Sequence, residues 1–194
     1  REAVEHVLRN LPASKDYRWE NGGADGYADS LEGGLNLINR VPLPEAIEWA
    51  EYTAEILLGK PRDTGVIEGW HGDGNYARTA LMYALWKTQG AYLEPWRADL
   101  RVGAARGDDG AAYFVVACDW PYEGKLRFDI PRHAEQMHMP ADYPRLNQFP
   151  EWFSVPREGV YETATGEVAA AVLRDGLPIS AKPDAPFQLR LKRK

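Results

Sequence analysis

The spacing of apolar positions changes once along the chain. From residue 1 to about residue 93 they recur every three or four residues, the period of helices. From about Asp99 they fall in short alternating runs, the period of strands. Ala3, Val4, Val7, Leu8 and Leu11 set a first helix that Pro12 ends. After the glycine-rich stretch 21–26, Asp29 stands three residues before Glu32, ahead of Leu31, Leu35 and Ile38, which is the pattern of a capping box opening a second helix. Pro44, at a first-turn position, and Glu45 open a third, which carries Ile47, Trp49, Ala50, Ala54, Ile56, Leu57 and Leu58 and which Gly59 and Pro61 close. A fourth is predicted from about Asn75 to Gln89, with Gly90 as its stop. Tyr76, Ala80, Leu81, Tyr83, Ala84, Leu85 and Trp86 surround it, so burial on nearly all sides is expected.

The second half reads as strands: LRVGAAR, AAYFVVAC, KLRFDI, AEQMHM, EVAAAVL and PFQLRLK, separated by the turn chemistry of GDDG, PYEG, TGE and RDGLP. This spacing favours an antiparallel sandwich. The insertion MPADYPRLNQFPEWFSVP is too long for a hairpin turn and reads as an ordered loop that joins structure. The expected fold class is therefore α+β, with helical hairpins over 1–93 and an antiparallel β-sandwich over 94–194. Three short helices and one sheet face cannot hide a helix as apolar as the fourth. The helical segment is accordingly expected to be the last part of a larger array, its remaining helices supplied by the same protein or by another copy.

Composition narrows the possibilities. A chain of 194 residues with 44% apolar content supports a real core. A net charge of −6 argues against a general nucleic-acid surface. No window approaches the ~18 uninterrupted apolar residues of a membrane span, and REAVEHVLRN lacks the regions of a signal peptide. The start on Arg1 is what a processed product or a piece of something longer would show. The one cysteine, Cys118, lies in an apolar run; it excludes an internal disulfide and is expected to be buried. Seven tryptophans are many for this length and suit either a core or platforms on which a flat ligand stacks.

A helical array passing directly into an antiparallel sandwich resembles the bacterial polysaccharide lyases built on an (α/α) toroid, of the heparinase II/III, alginate lyase and chondroitin AC lyase type. The segments ADGYADSLEGGLNLINRVP, EGWHGDGNYARTALMYALWKTQG and PRLNQFPEWF look like pieces of bacterial proteins with that architecture. The ending, from VYETATGEVAAAVLRDGLPI to PFQLRLK, is similar to the accessory sandwich of many carbohydrate-active enzymes. The resemblance implies an acidic polysaccharide as substrate, cleavage by β-elimination, a periplasmic or secreted location and no cofactor. It also implies that substrate binds where loops enter the inner helices.

GWHGDGNYAR has the composition for such a loop. Gly69, Gly72 and Gly74 permit close approach of backbone to ligand, and a helix N-terminus offers N–H groups to an anion. A lyase must neutralise the uronate carboxylate, remove the neighbouring proton and protonate the departing oxygen. His71, Asn75, Tyr76 and Arg78 supply the residue types for those three tasks and are the candidate catalytic residues. Asp25 and Tyr27, from NGGADGYADSLEGG, with Trp70 and Asp73, are the candidate substrate contacts. Each has a structural alternative: Asn75 an N-cap, Asp73 a complement to the helix dipole, Tyr76 a core residue, His71 a backbone partner. Arg78 is open to pairing with Glu68, Asp73 or an acid of a neighbouring helix, and a capping box accounts for Asp29 and Glu32. Paired carboxylates around Asp25 keep a glycoside hydrolase open as an alternative, as does a non-catalytic carbohydrate-binding module built on the aromatics. His133 and His138, five apart on an expected strand, face opposite ways, so no metal site is expected. Phosphate loops, nucleophile elbows and His-Glu zinc helices are absent from the sequence.

Overall fold

The computed structural model describes residues 1–61, 74–140 and 151–194. The fold is α+β, in two compact units: among the described residues, 1–61 and 74–84 form one, and 85–140 with 151–194 form the other.

The first unit is helical. Helix α1 spans Glu2–Asn10, and 3-10 turns follow at Leu11–Ser14 and Trp19–Gly22. Helix α2 spans Ala24–Ile38, α3 spans Pro44–Leu58 and α4 spans Asn75–Thr88. Helix α2 begins earlier than the predicted capping box. Gly23, in extended backbone, precedes Ala24, and Asp29 and Glu32 stand in the helix interior. The cause is the apolar stripe, which runs back from Leu31, Leu35 and Ile38 through Ala28 to Ala24 without a break in period. Gly26, inside this helix, lets the Glu20 side chain come close: a Cβ there would lie 2.8 Å from it. Helix α3 opens on Pro44 and closes at Gly59 as its punctuation predicts.

The contact between α2 and α3 is apolar and close. Leu31, Leu35, Ala46, Trp49, Ala50 and Leu57 are at most 1% exposed, and burying one such leucine is worth about 1.5–3 kcal/mol. A Cβ on Gly34 would stand 2.4 Å from the Trp49 ring, so glycine is what lets the two helices approach. The Trp49 indole N–H donates to Ser14 Oγ at 3.0 Å, satisfying its one polar atom.

Within this chain helix α4 is covered along one side. Only Thr79 and Met82 along it are buried, and Leu81 is 60% exposed. Its contacts to α2 and α3 lie along one side, through Asn75, Arg78, Thr79 and Tyr83. Two neighbouring helices can cover only one side of a third.

The second unit holds strands β1 (Tyr92–Glu94), β2 (Arg101–Arg106), β3 (Ala112–Ala117), β4 (Tyr122–Arg127), then helix α5 (Arg132–Glu135). After these come β5 (Val160–Thr163), β6 (Gly166–Ala169), helix α6 (Ala170–Arg174), β7 (Leu177–Ala181) and β8 (Phe187–Arg193). They make two antiparallel sheets, ordered β1-β4-β7 and β2-β3-β8-β5-β6. One apolar core draws on both sheets: Leu93, Leu126 and Ile179 from the first, Phe114, Val116, Tyr161 and Leu191 from the second. Phe114, Phe128 and Phe153 meet edge to face at 5.1, 5.3 and 5.8 Å between ring centroids. Cys118 is buried and free, as its apolar run predicts.

One predicted strand is not a strand, and another is strand only in part. AEQMHM begins inside α5 and continues to His138, which has positive φ. Distant partners fix this: Arg174 grips Glu135 at 2.7 Å, and Glu151 accepts the His133 backbone N–H at 2.6 Å. His133 is therefore a buried helical residue, and the two histidines do not face opposite sides of a strand. EVAAAVL is strand only as far as Ala169, after which Ala170 and Leu173, three apart, are buried as the inner face of α6.

Candidate functional site

Of the sequence candidates among the described residues, Asp25, Asn75 and Arg78 gather along the contact between α2 and the first turns of α4. Asp25, Asp29 and Glu32 are spaced four and three residues apart, so they share one face of α2. Asn75 and Arg78, three apart, share the facing side of α4. The Asn75 amide donates to Asp25 Oδ1 at 2.5 Å. The Arg78 guanidinium bonds Glu32 through one nitrogen and lies 3.6 Å from Asp29 Oδ1. One buried anchor holds the line: the Thr79 hydroxyl donates to the Ala28 carbonyl at 3.1 Å, fixing the separation of the helices beside these pairs.

Local sequence explains the start of α4. Gly74 has a φ of +74°, and its carbonyl accepts the Arg78 backbone N–H at 2.9 Å. Asn75 is thus the first helical residue, with its side chain turned towards α2. Tyr76 follows it, half-buried. Among the described residues the acids at Arg78 come from a neighbouring helix; Glu68 and Asp73, the other partners the sequence allows, lie outside them. The Arg78 side chain is 38% exposed, Glu32 is 14% exposed, and Arg78 Nε is buried with no hydrogen-bond partner among the described residues.

Compared with protein-family models, curated proteins and solved structures, the chain matches none.

Not every candidate joins this line. Tyr27 lies on the buried side of α2, with the Lys60 ammonium 5.0 Å from its ring centroid, and Lys60 also donates to the Gly22 carbonyl at 2.7 Å. His71, Trp70 and Asp73 lie outside the described residues, as do Arg145 and Asn147. Among the described residues no group of His, Cys, Asp and Glu has the geometry to hold a metal ion. No described helix is long and apolar enough to cross a membrane.

A second polar contact on α4 escaped sequence reasoning. Tyr83, counted there as an apolar position, donates its hydroxyl to Glu51 Oε2 of α3 at 2.5 Å. Burial first, then the hydrogen bond and charge of Glu51, push the phenol well above its ordinary range. It therefore stays protonated and serves as a donor, not as a base.

Taken together, the side of α4 turned to α2 and α3 carries an amide, a guanidinium and a phenol, each on a carboxylate. Such a row orients carboxylate groups by charge-assisted hydrogen bonds.

Proposed function

We propose that this protein acts on uronate-containing polysaccharide as a β-eliminating lyase, with the α2–α4 line as its charge-handling site. In this reading the helices belong to an (α/α) toroid and the two sheets pack as the sandwich that follows it. The observation that carries the reading is that Asn75 and Arg78, one turn apart on α4, each hold a carboxylate of α2. Asp25 and Glu32 stand in for the uronate carboxylate that those donors would bind. A bound uronate whose charge is so countered has a more acidic C5 proton. Removal of that proton leaves its electron pair to form the C4–C5 double bond as the C4–oxygen bond breaks, and the departing oxygen takes up a proton. Tyr76, next to Asn75 and half-buried, is the described residue assigned to the proton transfers.

One observation favours a second chemistry on the same residues. Asp25, Asp29 and Glu32 place three carboxyl groups on one helix face, and paired carboxyl groups are what glycoside hydrolysis uses. A single experiment separates the two. The protein is incubated with a panel of acidic polysaccharides, and ultraviolet absorbance and new reducing ends are followed together. The lyase reading expects both to rise in step, since each cleavage leaves an unsaturated uronate. Reducing ends without absorbance assign the hydrolase, and neither signal on any polymer refutes both.

A further inference from the structure

We propose that Trp96 and Trp120 form a glycan-binding platform on the second unit, at which two pyranose rings of a polysaccharide chain stack on the indoles. Trp96 is 71% exposed and Trp120 is 70% exposed, the highest values among the exposed large apolar side chains of the described residues. A single exposed tryptophan is ordinary. Here the topology puts two on neighbouring segments. The chain crosses from one sheet to the other between β1 and β2, and crosses back between β3 and β4. Glu94 at the end of β1 pairs with Lys125 of β4, and Arg101 at the start of β2 pairs with Ala117 of β3. The two crossing segments therefore lie side by side, and each carries one of the tryptophans.

Both segments are held rigid by side chains spent on backbone. Asp99 Oδ2 accepts the Asp119 and Trp120 N–H groups at 3.1 and 3.2 Å. Arg97 grips the Asp99 carboxylate with two bonds of 2.9 Å and donates to the Trp120 and Pro121 carbonyls at 2.9 and 3.2 Å. The buried Tyr122 closes the far side by donating its hydroxyl to the Pro95 carbonyl at 3.0 Å. The Arg97 hydrogen bond is the main reason the Asp99 carboxyl lies below its usual range. Such a frame needs little ordering when a ligand arrives.

The surroundings select the ligand. The two segments that carry the indoles are tied together by charged side chains, Arg97 and Asp99, and Asp119 precedes Trp120. The Arg101–Asp119 pair beside Trp120 is 62% and 55% exposed and offers donors and acceptors to water or ligand. A protein partner favours a contiguous apolar centre with a polar rim. A sugar chain offers the reverse pattern, small C–H faces edged all round by hydroxyls, and an indole matches one such face. The ligand class rests on the proposed function; the place of the platform does not.

The test is affinity electrophoresis of the full chain in gels containing alginate, hyaluronate or a soluble β-glucan, beside Trp96→Ala, Trp120→Ala and the double variant. Retardation by at least one polymer is expected, with each single substitution weakening it about two- to tenfold and the double abolishing it. Asp99→Asn, which loosens the frame without touching an indole, should weaken it as well. Wild-type migration unaffected by every polymer, or full retardation of the double variant, overturns the platform. So does a double variant whose only change is loss of self-association in sedimentation, which would make the tryptophans a protein interface. Retardation without an absorbance signal in the cleavage assay leaves the platform standing and removes the lyase. The absorbance signal with an unaltered double variant does the opposite.

Discussion

The two units use charge differently. In the sheet unit one apolar core draws on both sheets, and ion pairs staple segments outside it: Arg97 with Asp99, Arg190 with Asp109, Arg174 with Glu135. In the helical unit the α2–α3 contact is apolar, but the α2–α4 contact runs through Asp25–Asn75 and Arg78 with Glu32 and Asp29. Shielded ion pairs between helices contribute little that well-packed apolar side chains would not match or exceed. Stability alone therefore gives no reason for a polar line along α4 when α3, one helix away, is held by Trp49 and leucines. That contrast is why the functional reading is placed on α2 and α4.

The contrast breaks most visibly at Gly34. Gly34→Ala drives a methyl into the Trp49 ring, and overpacking of this kind costs about 1–3 kcal/mol. A fall of the urea midpoint followed by helical circular dichroism is the expected result. An unchanged midpoint would mean that the apolar α2–α3 contact yields easily and is no tighter than the polar one.

The sheet unit's stapling sharpens the contrast by pH. The Arg190 hydrogen bond first, then the Ala111 N–H, lower the Asp109 carboxyl to about 2. The folded value lies below the unfolded one of about 3.9, so Asp109 contributes fully above about pH 4 and loses its contribution as pH falls through about 2. Asp109→Asn should flatten the part of the acid-unfolding profile in that window, read by near-ultraviolet circular dichroism, and leave the neutral-pH fold in place. A profile identical to wild type would show that the staple is broken by solvent. Because the pair is exposed, this is the smaller of the two effects.

Legibility followed the range of the interactions. Helix α3 was readable to its ends because Pro44 and Gly59 act within their own turns. The start of α2 was misplaced because Gly26 reads locally as a loop residue, whereas the buried stripe that runs back through Ala28 to Ala24 carries the helix past it. AEQMHM read as a strand because the partners that shape it, Arg174 and Glu151, are 39 and 18 residues from their contacts. Strands β1, β5 and β7, of three to five residues, are too short to carry a period. At the candidate site the residue types were legible, and an acid on a neighbouring helix was among the readings of Arg78. The Asp25–Asn75 bond joins positions 50 apart, and nothing in the spacing announces it. Trp96 and Trp120 were legible only as part of a count, since their exposure follows from which strands cross between the sheets.

The central claim is that Asn75 serves a substrate carboxylate and not merely Asp25. The measurement that tests it is turnover and melting temperature of Asn75→Ala, side by side, on whichever acidic polysaccharide the absorbance assay identifies. Loss of a donor that stabilises charge in the transition state lowers turnover by a factor of about 100 or more, and the account predicts this with a melting temperature close to wild type. A variant that loses about 1 kcal/mol of stability, the scale of one hydrogen bond or cap, while turning over saturating substrate at the wild-type rate would contradict it, and would leave the line between α2 and α4 as helix packing alone.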